Sequence, residues 1–467
     1  ENLSDRRAAK NVRFRLDWKM VIGLAVNDPG FHFSDLGEFR DRLEKHNKER
    51  AAFDVLLKKL KELGLIRKHQ KQRLDATHVL GHLRKLSRLE CLAESIRLTL
   101  KRLADLLEDA DFERLAPVDI RKLYTDELTT QNMDQQAVRR SLRSAGGHAL
   151  TLLERVAGHS KSSELSMLEQ VKTLRRVFEQ YFEVTPEGAP VVKEKLPKGE
   201  GKDRIVTPHE VEARWSEKRG KEWVGYKLQV TETADRPTEG PDGTVQPAVN
   251  FITDIAVTNA AEADIQYTQE AIDRQGRRGL VPEEFMVDQA YVSGAHIIEA
   301  ARKGVLLVGP AAAPNPGGIE MPQELFSIDV SGEEAVCPQG EKSVYWKKDR
   351  KGAIQVRFSA KACNECSIKT KCTKNKRGRT LTLAPEYECL QARREWMKTD
   401  DFKERMKARN GIEGTISEMC RAHGARYARY RGKKPLGIQE FFSGFSVNAK
   451  RLTRAILEGL CPDLAFS

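Results

Sequence analysis

The sequence predicts an α/β protein, in which a mixed sheet is covered by helices on both faces and preceded by a helical N-terminal region. Three observations carry this expectation. Tyr226, Leu228 and Val230 alternate with Lys227, Gln229 and Thr231, and Val249, Phe251, Ile255 and Val257 keep the same phase in a second run. That is the period of half-buried strands. Two short apolar runs, 285–287 and 304–309, alternate with helical patterns over 261–275 and 294–303, as the buried strands of an α/β sheet do. Upstream, Phe53, Leu56, Leu57, Leu60 and Leu63 recur at helical spacing with lysines opposite.

Taken in order, residues 1–70 read as a helical domain closed by Gly64-Leu65, a C-cap glycine with its hydrophobic contact. Residues 71–90 hold a first strand, Arg73 to Leu80. Leu92, Ile96, Leu100, Leu103 and Leu107 open a helical insertion over 91–184. Residues 185–204 mix Pro, Gly and charge without periodicity, which predicts a linker. The sheet core follows over 205–330, its two alternating runs joined by a Pro- and Gly-rich hairpin connection at 234–248. A cysteine-rich insertion spans 331–385, and helices return over 386–467.

At 467 residues the chain exceeds one ordinary domain, and 39% hydrophobic content suffices for real cores. Lys and Arg outnumber Asp and Glu by 80 to 68, a formal charge of +12 that suggests a polyanionic partner. No apolar run approaches the roughly 18–20 residues needed to cross a bilayer, and no secretory signal pattern is present. A cytoplasmic location is expected, so the eight cysteines are expected to be thiols or metal ligands, not disulfides. Cys91, Cys389, Cys420 and Cys461 are scattered and read as small buried hydrophobes.

Several constellations carry chemistry. Asp288 follows a buried apolar run, which places a carboxylate at the carboxyl edge of a sheet; an Asp there would equally cap the next helix. Asp75 sits inside a short strand, where an inward-facing charge needs a partner or a metal. Arg409 and Glu413 are four apart and share a face on a helix. Cys363-x2-Cys366 supplies half of a tetrahedral thiolate site that Cys337 and Cys372 complete, with structural Zn²⁺ the natural occupant. Basic residues crowd it, including Lys369, Lys371 and Arg377, so this knuckle is also suited to grip a DNA backbone. Arg421, Arg426, Arg429, Arg431, Lys433 and Lys434, interleaved with Tyr427 and Tyr430, form a candidate phosphate track.

Three motifs, Asp75-Ala-Thr-His78, Val287-Asp-Gln-Ala-Tyr-Val-Ser293 and Gly411-Ile-Glu-Gly-Thr-Ile-Ser417, together resemble the DDE transposases of bacterial insertion sequences. The likeness extends to Asn2-Leu-Ser-Asp-Arg-Arg-Ala-Ala9, Glu212-Ala-Arg-Trp-Ser-Glu-Lys-Arg219, Cys337-Pro-Gln-Gly340 and Arg426-Tyr-Ala-Arg-Tyr-Arg-Gly-Lys-Lys434. It implies an RNase H-like catalytic domain, an N-terminal domain for DNA binding or dimerisation, and a homodimer acting on terminal inverted repeats and target DNA. It further implies that Asp75, Asp288 and Glu413 hold two Mg²⁺ (or Mn²⁺) ions, with Arg409 on a phosphate. The chain departs from the broader signature at Met406 and Cys420, where related enzymes carry Tyr and Lys, and at Glu210-Val211, where many carry Asp-Pro. Glu418 rivals Glu413 for the third position. The alternative reading is a repurposed, non-catalytic DNA-binding protein with a zinc knuckle.

Overall fold

The computed structural model describes residues 3–194, 200–218, 220–239, 243, 245–246, 248–312 and 321–460. Cys461, Arg219, part of the expected linker (195–199) and parts of the 234–248 connection lie outside the described residues.

A mixed sheet forms the centre. Its strands are β1 (Gln72–Leu80), β2 (Lys221–Thr233), β3 (Ile252–Asn259), β4 (Glu284–Met286) and β5 (Leu306–Val308). They lie in the order β3–β2–β1–β4–β5, and a strand at Arg214–Lys218 pairs with the outer half of β2. The β1–β2 and β2–β3 pairs are antiparallel, whereas β1–β4 and β4–β5 are parallel. This is the expected RNase H-like α/β arrangement. β2 keeps its alternation because Tyr226, Leu228 and Val230 are fully buried on one face. All three residues of β4 are buried, which explains its short continuous apolar run.

Helices cover both faces. The N-terminal region folds as α1 (Asp5–Phe14), α2 (Leu16–Ile22), α3 (Phe33–Lys45) and α4 (Ala51–Glu62). α4 ends as expected: Gly64 is left-handed, and the Leu65 and Gly64 N–H groups donate to Leu60 and Lys61 carbonyls. Its apolar face, however, belongs to the sheet's core and not to a separate N-terminal unit. Phe53, Leu56, Leu57 and Leu60 pack with Tyr226, Leu228, Val230 and Ile255. Buried Asp254 on β3 fastens the junction, bonding Arg50 at the start of α4 (3.0 Å) together with Arg274 (2.5 Å) and Arg278 (2.8 Å).

Between β1 and β2 the chain builds a helical unit with its own core. It contains α5 (Arg88–Ala104), α6 (Gln135–Ala157) and α7 (Glu169–Tyr181), joined through Leu92, Ile96, Leu103, Leu152, Val156 and Val177. Inside the expected linker, residues 190–192 pair with 182–184 as a small hairpin. The opposite sheet face is covered by α8 (Thr268–Arg277) and α9 (Gly294–Arg302), over a core that includes Leu74, Ile272, Phe285, Val287 and Leu307. The cysteine segment follows as a three-stranded antiparallel sheet, β6 (Ser343–Lys348), β7 (Ile354–Phe358) and β8 (Thr380–Leu383), closed over Phe326, Val356, Phe358 and Leu381. The chain then returns through α10 (Tyr387–Lys398), α11 (Asp400–Arg409), α12 (Ile412–Ala422) and α13 (Lys433–Leu457). Among the described residues no helix is long and apolar enough to cross a membrane.

Candidate active site

Asp75 and Asp288 meet because two neighbouring strands run in the same direction. In the β1–β4 pairing Gln72 stands opposite Phe285 and Arg73 opposite Met286. Carried two residues further, the same register sets Asp75 level with Asp288, just past the end of β4. There the Asp288 side chain accepts the Ala290 N–H (2.8 Å) and so caps a short 3₁₀ turn, Gln289–Tyr291. Capping and edge position, posed as alternatives by the sequence, are both present. The turn is tied back to the sheet by Tyr291, whose buried hydroxyl donates to Gln229 on β2 (2.6 Å).

Glu413 arrives from the opposite end of the chain, in the first turn of α12. The guanidinium of Arg409, at the end of α11, spans the gap. It bonds Asp75 Oδ2 at 2.5 Å and Glu413 Oε1 at 3.2 Å. Among the described residues its buried Nε–H has no acceptor. Asp75, Asp288 and Arg409 lie close enough to act on one another's charge. Burial pushes the Asp75 carboxyl above the usual range, Arg409 pulls it down and the Asp288 charge pushes it up, with a net rise. The Tyr291 phenol is raised well above its ordinary value by burial, then by the charges of Asp264, Asp75 and Asp288.

Asp75 and Glu413 open onto a cleft whose walls include Ser417, Cys420, Arg421, Arg426 and Tyr427. Glu418 faces elsewhere. It bonds Lys450 (2.8 Å) and Arg451 (3.5 Å) of α13, so it serves helix packing. Of the basic run, Arg421, Arg429, Arg431 and Lys434 are exposed and Lys433 half-buried. Arg426 is turned inward instead, donating to Thr77 Oγ1 and the His78 carbonyl (3.0 and 2.8 Å). It anchors its loop, which adds to the end of β1 through a Leu80–Tyr427 bridge.

The four clustered cysteines, Cys337, Cys363, Cys366 and Cys372, converge on one pocket, between Phe326, Phe358 and Arg379. The Arg379 backbone N–H donates to Cys363 Sγ (3.4 Å), and burial raises the Cys372 thiol with the other three cysteines adding to the effect. Cys91 is buried as expected, whereas Cys389 and Cys420 are only partly covered.

Two groups essential to this geometry were missed by pattern reading. Glu232 at the end of β2 is fully buried and accepts from Arg73 (2.7 Å), Thr415 (2.6 Å) and Arg451 (2.9 Å). Arg73 also donates to the Ala408 carbonyl (2.5 Å), so this cluster pins the α11–α12 corner to the sheet. Gly411 permits the approach, because a Cβ there would overlap the Arg73 guanidinium. The available signal was phase: Glu232 continues the inward series of Tyr226, Leu228 and Val230. The second is Glu210, which accepts both the Tyr226 hydroxyl (2.5 Å) and the Gly432 N–H (2.9 Å) at the base of the basic loop.

Among known proteins, no curated protein and no solved structure matches the chain. Residues 336–453, which carry most of the cysteine segment, Arg409 and Glu413, match the family model described as Transposase DDE domain.

Proposed function

We propose that this protein is a DNA transposase that cuts at the ends of its insertion sequence and joins the freed 3′-hydroxyl to target DNA. The observation that carries the reading is the parallel pairing of β1 with β4, whose ends bring the charges of Asp75 and Asp288 into interaction, with Glu413 tied to Asp75 through Arg409. Three carboxylates form an all-oxygen donor set, the chemistry that Mg²⁺ or Mn²⁺ takes. When bound, a pair of such ions supplies Lewis acidity at the scissile phosphate and an activated attacking oxygen. The chain's own residues hold and orient the reactants. Arg409 balances the carboxylates, and its unpaired Nε–H is suited to a phosphate oxygen. Arg421, Arg429, Arg431, Lys433 and Lys434 would neutralise backbone phosphates, positioning DNA without reading its sequence. Pairing two DNA ends calls for a homodimer, with the N-terminal helices α1–α3 as its DNA-binding or dimerisation element.

Purified protein given Mg²⁺ and DNA carrying the terminal inverted repeats should nick at the ends, and chelation should stop it. Tight DNA binding without metal-dependent cleavage would instead mark a repurposed DNA-binding protein.

Cys337, Cys363, Cys366 and Cys372 are proposed as a structural Zn²⁺ site, supported by their shared pocket and the N–H donated to Cys363. Soft thiolates in a small unit of limited core favour zinc. Cys366→Ser is expected to lower zinc content by one equivalent per chain and to expose the 343–383 sheet to protease. Unchanged zinc content by elemental analysis would remove the assignment.

A further inference from the structure

The chain's positive charge is not spread evenly. Between residues 342 and 383 stand 13 Lys and Arg against 2 Asp and Glu, so this stretch carries +11 of the chain's +12. The rest of the chain, basic run at 421–434 included, is balanced to within one charge. Like charges held this close repel one another and weaken the folded unit unless a polyanion neutralises them.

The β6–β7–β8 sheet sorts its residues onto two faces. Trp346, Val356 and Leu381 pair across the strands and pack into the core. The adjacent rows point the other way. One is Lys347, Gln355 and Thr382, and the next is Tyr345, Arg357 and Thr380. All but Thr380 are exposed, and no carboxylate stands in either row. The Arg357 guanidinium lies over the Tyr345 ring, 4.7 Å from its centroid, and donates to Gln355 Oε1 (2.5 Å). Among the described residues neither Lys347 nor Arg357 makes an ion pair. The turn from β6 to β7 adds exposed Lys348, Arg350 and Lys351. Its one acid, Asp349, accepts the Lys351 and Ala353 N–H groups (2.8 and 2.9 Å) and so shapes the turn.

We infer that the outer face of this sheet, with the β6–β7 turn, is a docking surface for the phosphate backbone of duplex DNA, separate from the basic run. It rests on the reading that the chain acts on DNA. Each cation set on a phosphate releases condensed counterions, so this face supplies much of the sequence-independent, salt-dependent affinity. Tyr345 and Gln355 hold Arg357 in place beforehand, so little side-chain freedom is lost when its remaining donors meet a phosphate. Tyr345, Lys347 and Arg357 belong to no sequence motif. Strand register alone brings them together.

The full chain is titrated, without divalent metal, with a short fluorescent DNA duplex of arbitrary sequence at several salt concentrations. Lys347→Gln combined with Arg357→Gln should weaken binding about tenfold and lower the slope of log affinity against log salt by about 2. Lys101→Gln combined with Arg102→Gln removes the same charge from an exposed end of α5 and should leave the slope unchanged. All four side chains are exposed, so both variants should melt at the parental temperature. Equal slopes in the parent and the sheet variant, or equal losses in the two variants, would overturn the surface. So would a loss seen only with single-stranded DNA. Cleavage of inverted-repeat DNA by the parent, measured alongside, separates the two readings. Cleavage with an unchanged slope in the sheet variant removes the surface alone, whereas a lowered slope without cleavage keeps the surface and removes the transposase.

Discussion

Asparagine at position 288 is expected to lower metal-dependent DNA cleavage by about 10²–10³-fold or more while leaving DNA binding and folding intact. The magnitude follows from the several kcal/mol that a correctly held ion contributes, each 1.4 kcal/mol being about tenfold in rate. The fold should survive because, among the described residues, the side-chain hydrogen bond that Asp288 makes is a cap to the Ala290 N–H, and asparagine caps as well as aspartate. Cleavage gels, a DNA-binding titration and a thermal melt on the same preparation separate the effects. Cleavage at the parental rate would show that Asp288 holds no metal. A pH profile adds a second check. The Asp75 carboxyl is raised, so it keeps its proton to a higher pH than an ordinary aspartate does. Metal must displace that proton. Cleavage should therefore fall on acidification earlier than an unperturbed carboxylate would dictate, and recover above the raised value.

The largest effect on stability is expected at Glu232. Alanine there leaves the guanidinium groups of Arg73 and Arg451 without their shared anion and deprives Thr415 of its acceptor. Removing one partner from a buried charge network costs about 3–5 kcal/mol, because the charges left behind remain desolvated. Urea unfolding measures this directly, and a loss below about 1 kcal/mol would show that the cluster relaxes into solvent. Glutamine should lie between, since it can still accept from Thr415. Cleavage should fall in both, through displacement of the α12 turn that carries Glu413.

Part of the candidate site's placement was legible because its residues sit where local pattern is strongest. Asp288 ends an apolar run whose strand is buried on both faces, and Asp75 interrupts a short strand. The choice between Glu413 and Glu418 was not legible. It depends on Lys450 and Arg451, which reach Glu418 from another helix. Arg426 reads as one more cation in a basic run, yet its partners are on β1, 349 and 348 positions away. Composition reports charge but not which charges are spent internally. The helical pattern of α4 was plain, whereas its burial against the sheet required knowing that β2 and β3 lay beneath it. The parallel pairing of β1 with β4 leaves no local mark at all, because the partners are 213 residues apart, from Gln72 to Phe285.

That separation also sets a timetable. Ribosomes add on the order of 5–20 residues each second. β1 therefore emerges roughly 10–40 s before the strand that aligns Asp288 beside it, and Glu413 is made later still. Throughout that interval the nascent chain carries an unfinished sheet and no complete set of the three carboxylates. If the three carboxylates form the proposed metal-holding centre, that centre cannot assemble until synthesis is nearly done.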